Sequence, residues 1–176
     1  MACKQGIRAS MEVSREFYQK LKEYDPYREL WTWLVAKEQA DPGLSAFSVA
    51  HRHYFAVSVL EGEVYNGGFD QFFTNSSGAY FALASSGLQV LEAEASLRLL
   101  QAAARALFGD EPPSADQQER WDAMERHALA HGGVDAVAAR LEPLDRAFCN
   151  DPDALVERLS AFAQRSGILD PFVRSA

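Results

Sequence analysis

The apolar residues of this 176-residue chain recur mainly at spacings of three and four, and glycine and proline interrupt the pattern. Such periodicity is typical of amphipathic α-helices, whereas half-buried strands alternate with a period of two. With 48% hydrophobic residues, the chain is long enough to bury one sizeable core. We therefore predict an all-α fold, a single compact multi-helix domain of about eight helices.

Glycine, proline and capping residues divide the chain into predicted helices. The predicted helix that is third along the chain is capped by Ser45, is apolar nearly all round and is expected to be buried. The other predicted helices are residues 12–24, 26–40, two short pieces within 68–85, 88–108, 114–131, 134–148 and 151–165. The first two form an N-terminal hairpin within residues 1–44, which we expect to pack on a core formed by residues 45–165.

The charge of the chain is negative and unevenly distributed. The net charge is -8, and no Lys or Arg occurs between Arg52 and Arg98. Residues 111–176 carry 12 acidic and 7 basic side chains. A general nucleic-acid binder needs clustered Lys and Arg for phosphate contacts, so direct binding of nucleic acid is not expected.

Cysteine usage and hydropathy indicate the compartment. The two cysteines, Cys3 and Cys149, do not form a disulfide framework and fit a reducing environment. The N-terminus lacks the apolar region of a secretion signal, and no stretch is apolar enough to span a bilayer. We expect a cytoplasmic protein with no membrane partner.

The stretch EVYNGGFDQFFTN, from Glu63 to Asn75, lies in the most apolar region and contains two adjacent glycines. We predict a helix end here, with Asn66 or Gly67 in the left-handed conformation and Gly68 allowing the chain to reverse. The aromatic residues of the stretch, at helical spacing, would anchor the next helix to the core: Phe69, Phe72 and Phe73. The polar residues Glu63, Gln71 and Asn75 are expected to hydrogen-bond the loop backbone.

The same stretch resembles the signature of a bacterial domain family of unknown function. The residues that carry the resemblance are Glu63, Val64, Asn66, Gly67, Gly68, Phe69, Gln71, Phe72, Phe73 and Asn75. The similarity extends over about residues 45–165. A domain of this family forms the C-terminal part of a DNA-mimic protein, an acidic dimer that binds a transcriptional repressor and keeps it from its operator. The resemblance implies an all-α fold, a protein partner and DNA mimicry.

Mimicry of a duplex requires rows of carboxylates with few cations among them. The best row occurs at three-residue steps on a predicted helix: Asp116, Glu119, Asp122 and Glu125. However, Arg120 and Arg126 follow Asp116 and Asp122 by four residues, a spacing that predicts surface ion pairs. A second candidate surface comes from the interval without basic residues and consists of Glu61, Glu63, Asp70, Glu92 and Glu94.

Catalytic and metal-binding patterns are weak. His127 and His131 lie one helical turn apart, but the intervening residues lack the Glu of a zinc-protease motif. Cys149 has no activating histidine nearby in sequence. We predict no metal, no cofactor and no enzymatic activity.

These observations favour a non-enzymatic interaction protein that binds a DNA-binding transcriptional regulator through an acidic surface. One alternative is an immunity-type protein that neutralises a toxin, since complementary charge speeds association with a basic partner. Another is a small-molecule site at the corner formed by residues 66–75. The resemblance also implies a homodimer. The aromatic residues that are candidates either for a dimer face or for the core are Tyr18, Tyr24, Tyr27, Trp31 and Trp33.

Overall fold

The computed structural model describes residues 23–174, and this part of the chain is all-α, with no strand. The α-helices are α1 Pro26–Ala40, α2 Val49–Thr74, α3 Phe81–Val90, α4 Glu94–Phe108, α5 Gln117–Ala130, α6 Val134–Cys149 and α7 Leu155–Arg165. Two short 3-10 segments are Ser76–Tyr80 and Asp170–Phe172. The predicted all-α, compact domain is confirmed.

Helix α2 is the central element of the fold. It packs against α1, α3, α5, α6 and α7. Its buried side chains include Phe55, Val57 and Leu60, and burial of each such side chain contributes roughly 1.5–3 kcal/mol. Neither α2 nor another helix within residues 23–174 combines the length and apolarity needed to cross a membrane.

The N-terminal cap of α2 differs from the prediction. Ser48, not Ser45, caps the helix, and its side chain accepts a hydrogen bond from the His51 amide. Ser45 is instead used in the preceding loop, where its amide and hydroxyl both donate to the Asp41 carboxylate. The sequence therefore contains two residues that could cap α2, Ser45 and Ser48. The hydrogen bonds to Asp41 make Ser45 unavailable as the cap.

Helix α1 has the bounds expected from the sequence. The Asp25 side chain caps it by accepting a hydrogen bond from the Tyr27 amide, and Asp41 ends it. The helix packs on α2 and on the C-terminal 3-10 segment, and the Trp33 ring stacks on Phe47. Of the other predicted hairpin helix, residues 12–22 lie outside the described residues, so the division into residues 1–44 and 45–165 stays a prediction.

The predicted single helix over residues 88–108 is wrong, because the chain breaks it into α3 and α4. Glu92, at the break, has a φ of 55°. Two side chains from the region of α7 stabilise the break: Arg158 donates to the Leu91 carbonyl, and Asp153 accepts from the Ser96 amide at 2.6 Å. These partners are more than 50 residues away in sequence, so helical periodicity could not reveal them.

Candidate acidic interaction surface

The two motif glycines form a kink inside α2. Gly67 has φ -157° and ψ 22°, and Gly68 has φ 77° and ψ -179°. The positive φ therefore belongs to Gly68, and the prediction of a left-handed Asn66 or Gly67 is wrong. The predicted interruption of the helix does fall at these two glycines, and helical turns resume after the kink and continue to Thr74. Asn66 is exposed beside the kink.

Asp145 of α6 holds the kink from outside the helix. Its carboxylate accepts a hydrogen bond from the Phe69 amide at 2.8 Å, which satisfies a backbone donor that the kink leaves free. A Cβ atom added at Gly68 would lie 2.7 Å from the same carboxylate. Glycine is required here for its conformation and for this close approach. The three motif phenylalanines that follow, Phe69, Phe72 and Phe73, are fully buried.

The polar residues of the motif bond to one another rather than to loop backbone. The Glu63 carboxylate accepts from the Gln71 amide group at 2.6 Å, from the Asn75 amide group at 3.0 Å and from the Ser77 hydroxyl at 3.1 Å. Hydrogen bonds to a charged acceptor contribute about 1.5–3 kcal/mol. Ser77 was not among the residues predicted from the sequence. Glu63 holds this part of the chain together, because its carboxylate accepts all three hydrogen bonds.

Arg120 of α5 is buried and joins the motif to α5. Its guanidinium donates to the carbonyls of Phe73 and Asn75 at the end of α2, at 3.0 and 2.7 Å. It also donates to the carbonyls of Ser114 and Ala115, both at 2.9 Å. The C-terminal carbonyls of a helix lack intrahelical partners and carry partial negative charge, so a cation is favoured there.

The predicted ion pair between Asp116 and Arg120 is therefore wrong. Asp116 instead caps α5 and accepts a hydrogen bond from the Glu119 amide. The predicted pair between Asp122 and Arg126 is also wrong, since Arg126 lies 3.6 Å from Glu111. Asp122 accepts from the Gln118 side chain. Asp116 caps the helix while Arg120 bonds backbone carbonyls, and Arg126 approaches Glu111 from outside the helix. These interactions replace the two predicted i, i+4 pairs.

Two further side chains fix the inner face of α5 to the end of α2. Gln117 and Trp121 each donate to the Thr74 carbonyl at 2.8 Å. Together with Arg120 they determine which side of α5 faces the core and which faces solvent. All four carboxylates of the predicted row are exposed: Asp116, Glu119, Asp122 and Glu125.

This acidic row winds around the outer side of α5. Steps of three residues fall about 60° short of a full helical turn, so successive carboxylates shift sideways as the helix rises. Glu119 and Asp122 lie on the outer side, and Glu125 reaches the edge of a neighbouring groove. We call the four residues the α5 acidic row.

The neighbouring groove lies between α4, α5 and α6 and encloses a cavity of about 580 Å³. No Lys or Arg lines it, Arg146 beside it is paired with Glu142, and the carboxylates that line it are Asp70, Glu125, Glu142 and Asp145. Asp70 is exposed as a whole residue, but partial desolvation of its carboxyl group raises its pKa, and the adjacent Asp145 carboxylate raises it further. The groove thus brings together Asp70 of the motif region and Glu125 of the α5 acidic row.

The remaining sequence candidates lie elsewhere. Glu61 is half-buried, and burial followed by the charges of Asp151 and Glu157 raises its pKa. Glu94 lies 3.5 Å from Arg98, and Glu92 shares a shallow cleft with Glu157. None of Glu61, Glu92 and Glu94 lines the groove.

Histidine and cysteine candidates form no reactive cluster in the described part of the chain. The rings of His127 and His131 stack at 4.0 Å, and the His131 ring bonds the His127 carbonyl. Within residues 23–174, no group of three or more potential metal-binding side chains comes together. Cys149 is exposed and free.

Comparison with known proteins identifies one family. The profile of the DMP19-like protein family, which is a DNA-mimic family, matches residues 45–166. No curated protein and no solved structure matches the chain. Because the family match spans more than half of the sequence and includes the kinked helix, the groove and the α5 acidic row, the chain belongs to the DMP19-like protein family.

Proposed function

We propose that this protein is a non-enzymatic DNA mimic that occupies the DNA-binding face of a transcriptional regulator through the α5 acidic row. The observation that carries the proposal is the placement of charge on α5. Four carboxylates face solvent, while Arg120, one of the two arginines of α5, is fully buried against backbone carbonyls.

The spacing of the row suits a surface that binds phosphates. Three-residue steps separate successive carboxylates by about 4.5 Å along the helix axis. In duplex DNA, phosphates of one strand follow each other at about 3.4 Å along the axis. Arg126 is the remaining cation on the outer side, and Glu111 partly neutralises it. A regulator that places Lys and Arg along DNA would therefore meet a comparable row of anions.

The charge of the described residues supports the same proposal. Residues 23–174 carry 23 acidic and 12 basic side chains. Within that part of the chain, three arginine–carboxylate pairs lie within 4 Å, and all three are exposed. Exposed pairs contribute little to stability, and most carboxylates remain available to a partner. A surface of one sign accelerates association with an oppositely charged partner.

The corner at residues 66–75 gives less support to a small-molecule site. The Glu63 carboxylate already accepts three hydrogen bonds from the neighbouring polar side chains. These polar groups form their hydrogen bonds with one another, so they are not available to bind and orient a ligand.

The test is affinity capture from a bacterial lysate at low and high salt, with three forms of the protein as bait. They are the unmodified chain, a row variant (Glu119→Gln, Asp122→Asn and Glu125→Gln) and a matched control (Glu92→Gln, Glu94→Gln and Glu157→Gln). We expect a DNA-binding regulator that the unmodified chain and the control retain at low salt and that the row variant loses. The captured regulator should then lose its operator when the unmodified chain is added.

Other outcomes have distinct meanings. Capture of a toxin enzyme whose activity the protein blocks would support the immunity-type alternative instead. Equal losses for the row variant and the control would show attraction by net charge alone and would overturn the assignment to α5. A regulator that keeps its operator while bound would overturn mimicry.

A further inference from the structure

We propose that the groove between α4, α5 and α6 binds the apolar face of a basic amphipathic α-helix on the protein partner. This inference rests on the proposed function, since the groove continues the α5 acidic row at Glu125. It adds that recognition is not purely electrostatic: the partner inserts apolar side chains beside the row.

The groove is apolar at its floor and open to solvent. Leu107, Ala128, Val137 and Leu141 form buried parts of the lining, and Met124 adds a flexible thioether side chain. A cavity of about 580 Å³ falls within the range of sites that receive ligands or anchoring side chains. Grooves of this kind commonly receive the apolar face of an amphipathic helix.

Two aliphatic side chains at the mouth of the groove are strongly exposed. Leu129 is 76% exposed and Val134 is 74% exposed, the highest values among the exposed large hydrophobic residues of the described chain. Both line the groove, so they extend its apolar surface outward. An exposed apolar patch rimmed by polar groups is typical of a protein interaction site.

The charges of the groove select the occupant. Glu142 is paired with Arg146 beside the groove, but Asp70, Glu125 and Asp145 have no Lys or Arg among the lining residues, so a cationic occupant is complementary and a phosphate backbone is repelled. Asp70 and Asp145 already repel each other, and a Lys or Arg placed beside them would relieve that repulsion.

A helix of a partner fits better than a second copy of this chain. In a two-fold symmetric contact the same surface meets itself, so the four carboxylates of one groove would face those of the other. Such like-charge contacts cost free energy. A small organic cation would leave Leu129, Val134 and the adjoining α5 acidic row unused.

The first experiment measures binding of a defined probe by fluorescence anisotropy. The probe is a labelled 18-residue helical peptide with leucines on one face and lysines on the other. A lysine peptide of equal charge without leucine serves as control. We expect the amphipathic peptide to bind the unmodified protein at physiological salt and the lysine peptide to bind at least about tenfold more weakly, a difference that about 1.4 kcal/mol of apolar contact supplies.

Variants test whether the peptide occupies the groove. Ala138→Trp fills the cavity without changing charge, and Leu129→Gln with Val134→Gln removes the apolar mouth. The matched control, Val90→Gln with Val156→Gln, changes two exposed valines that do not line the groove. We expect both groove variants to weaken binding about tenfold and the control to leave it unchanged. Circular dichroism checks that each variant folds. If Ala138→Trp unfolds, the variant Leu129→Gln with Val134→Gln still tests whether the peptide occupies the groove.

The outcomes separate this inference from the proposed function. If a captured regulator binds Ala138→Trp and the unmodified chain equally but not the row variant, the groove proposal is overturned and the mimic proposal stands. If the peptide needs the groove but no regulator is found, the groove stands and the mimic proposal loses support. A concentration-dependent dimer that Ala138→Trp abolishes would assign the groove to a second copy and overturn the inference.

Discussion

At the scale of single residues, Arg120 and Gly78 illustrate how the end of α2 and the start of α5 depend on each other. Gly78 is buried against the arginine, and an added Cβ atom would lie 2.6 Å from Nε of Arg120 and 2.9 Å from the Phe73 carbonyl oxygen. The arginine occupies the space that a larger residue would need. Glycine at position 78 is thus explained by a side chain 42 residues later in the sequence.

We expect Gly78→Ala to lower the free energy of unfolding by about 1–3 kcal/mol, because the added methyl group overpacks the arginine site. Gly62→Ala is the matched control. It lies on the exposed side of α2, the helix that precedes the 3-10 segment of Gly78, with no heavy atom within 4 Å of the added Cβ atom, and Gly62→Ala should stabilise by about 0.5–1 kcal/mol. Urea denaturation measures both changes, and equal effects would contradict the described contact.

We expect Arg120→Met to lower the free energy of unfolding by about 3 kcal/mol, since four backbone carbonyls would lose their donor. Arg126→Met, on the exposed side of the same helix, should change it by less than about 0.5 kcal/mol. Both variants remove one positive charge, so thermal and urea denaturation together isolate the effect of burial. A small loss at position 120 would contradict the role given to the guanidinium.

At the scale of elements, local signals in the sequence determine some helices and distant contacts determine others. The ends of α1 could be predicted because Asp25-Pro26 and Asp41-Pro42-Gly43 act locally. The break between α3 and α4 could not, because Arg158 and Asp153 stabilise it from another part of the chain. The exposed α5 carboxylates were predicted, but the groove beside them requires three helices to be placed together.

Glu61 and Glu63, one half-turn apart on α2, should respond oppositely to neutralisation. We expect Glu63→Gln to destabilise by about 1–2 kcal/mol, because three donors lose a charged acceptor. Glu61→Gln should stabilise at neutral pH, because burial and nearby carboxylates disfavour its charged form.

The pH dependence of stability checks the assignment for Glu61. Its folded-state pKa is raised, so the folded protein binds more protons than the unfolded chain at pH values between the ordinary carboxyl pKa and the raised one. Stability therefore falls as the pH rises through this window, and the loss persists above it. Glu61→Gln should remove this contribution, as urea denaturation from pH 4 to 7 would reveal. An unchanged pH profile would contradict it.

At the scale of the whole molecule, the surface carries more negative charge than folding requires. The described residues hold nearly twice as many acidic as basic side chains, and one of the basic ones, Arg120, is buried. Repulsion among the remaining surface charges opposes the compact state, and salt screens it. The predicted homodimer would concentrate this charge further and stays a prediction.

We expect added sodium chloride, from about 0.05 to 0.5 M, to raise the melting temperature. The reason is that higher ionic strength weakens the repulsion between exposed carboxylates, which opposes folding. The row variant Glu119→Gln, Asp122→Asn and Glu125→Gln should start from a higher melting temperature and gain less from salt. Scanning calorimetry at several salt concentrations measures both. A row variant that gains as much as the unmodified chain would show that these carboxylates do not repel one another appreciably.

The separation of duties on α5 has a consequence for how such a protein diversifies. Gln117, Arg120 and Trp121 attach the helix to its support, whereas Glu119 and Asp122 point away from it. Substitutions on the outer side can therefore accumulate without disturbing the attachment. Substituting a few solvent-facing residues of α5 would change which partner the protein binds while the fold is kept. Helix α5 is therefore the element at which to begin engineering altered selectivity.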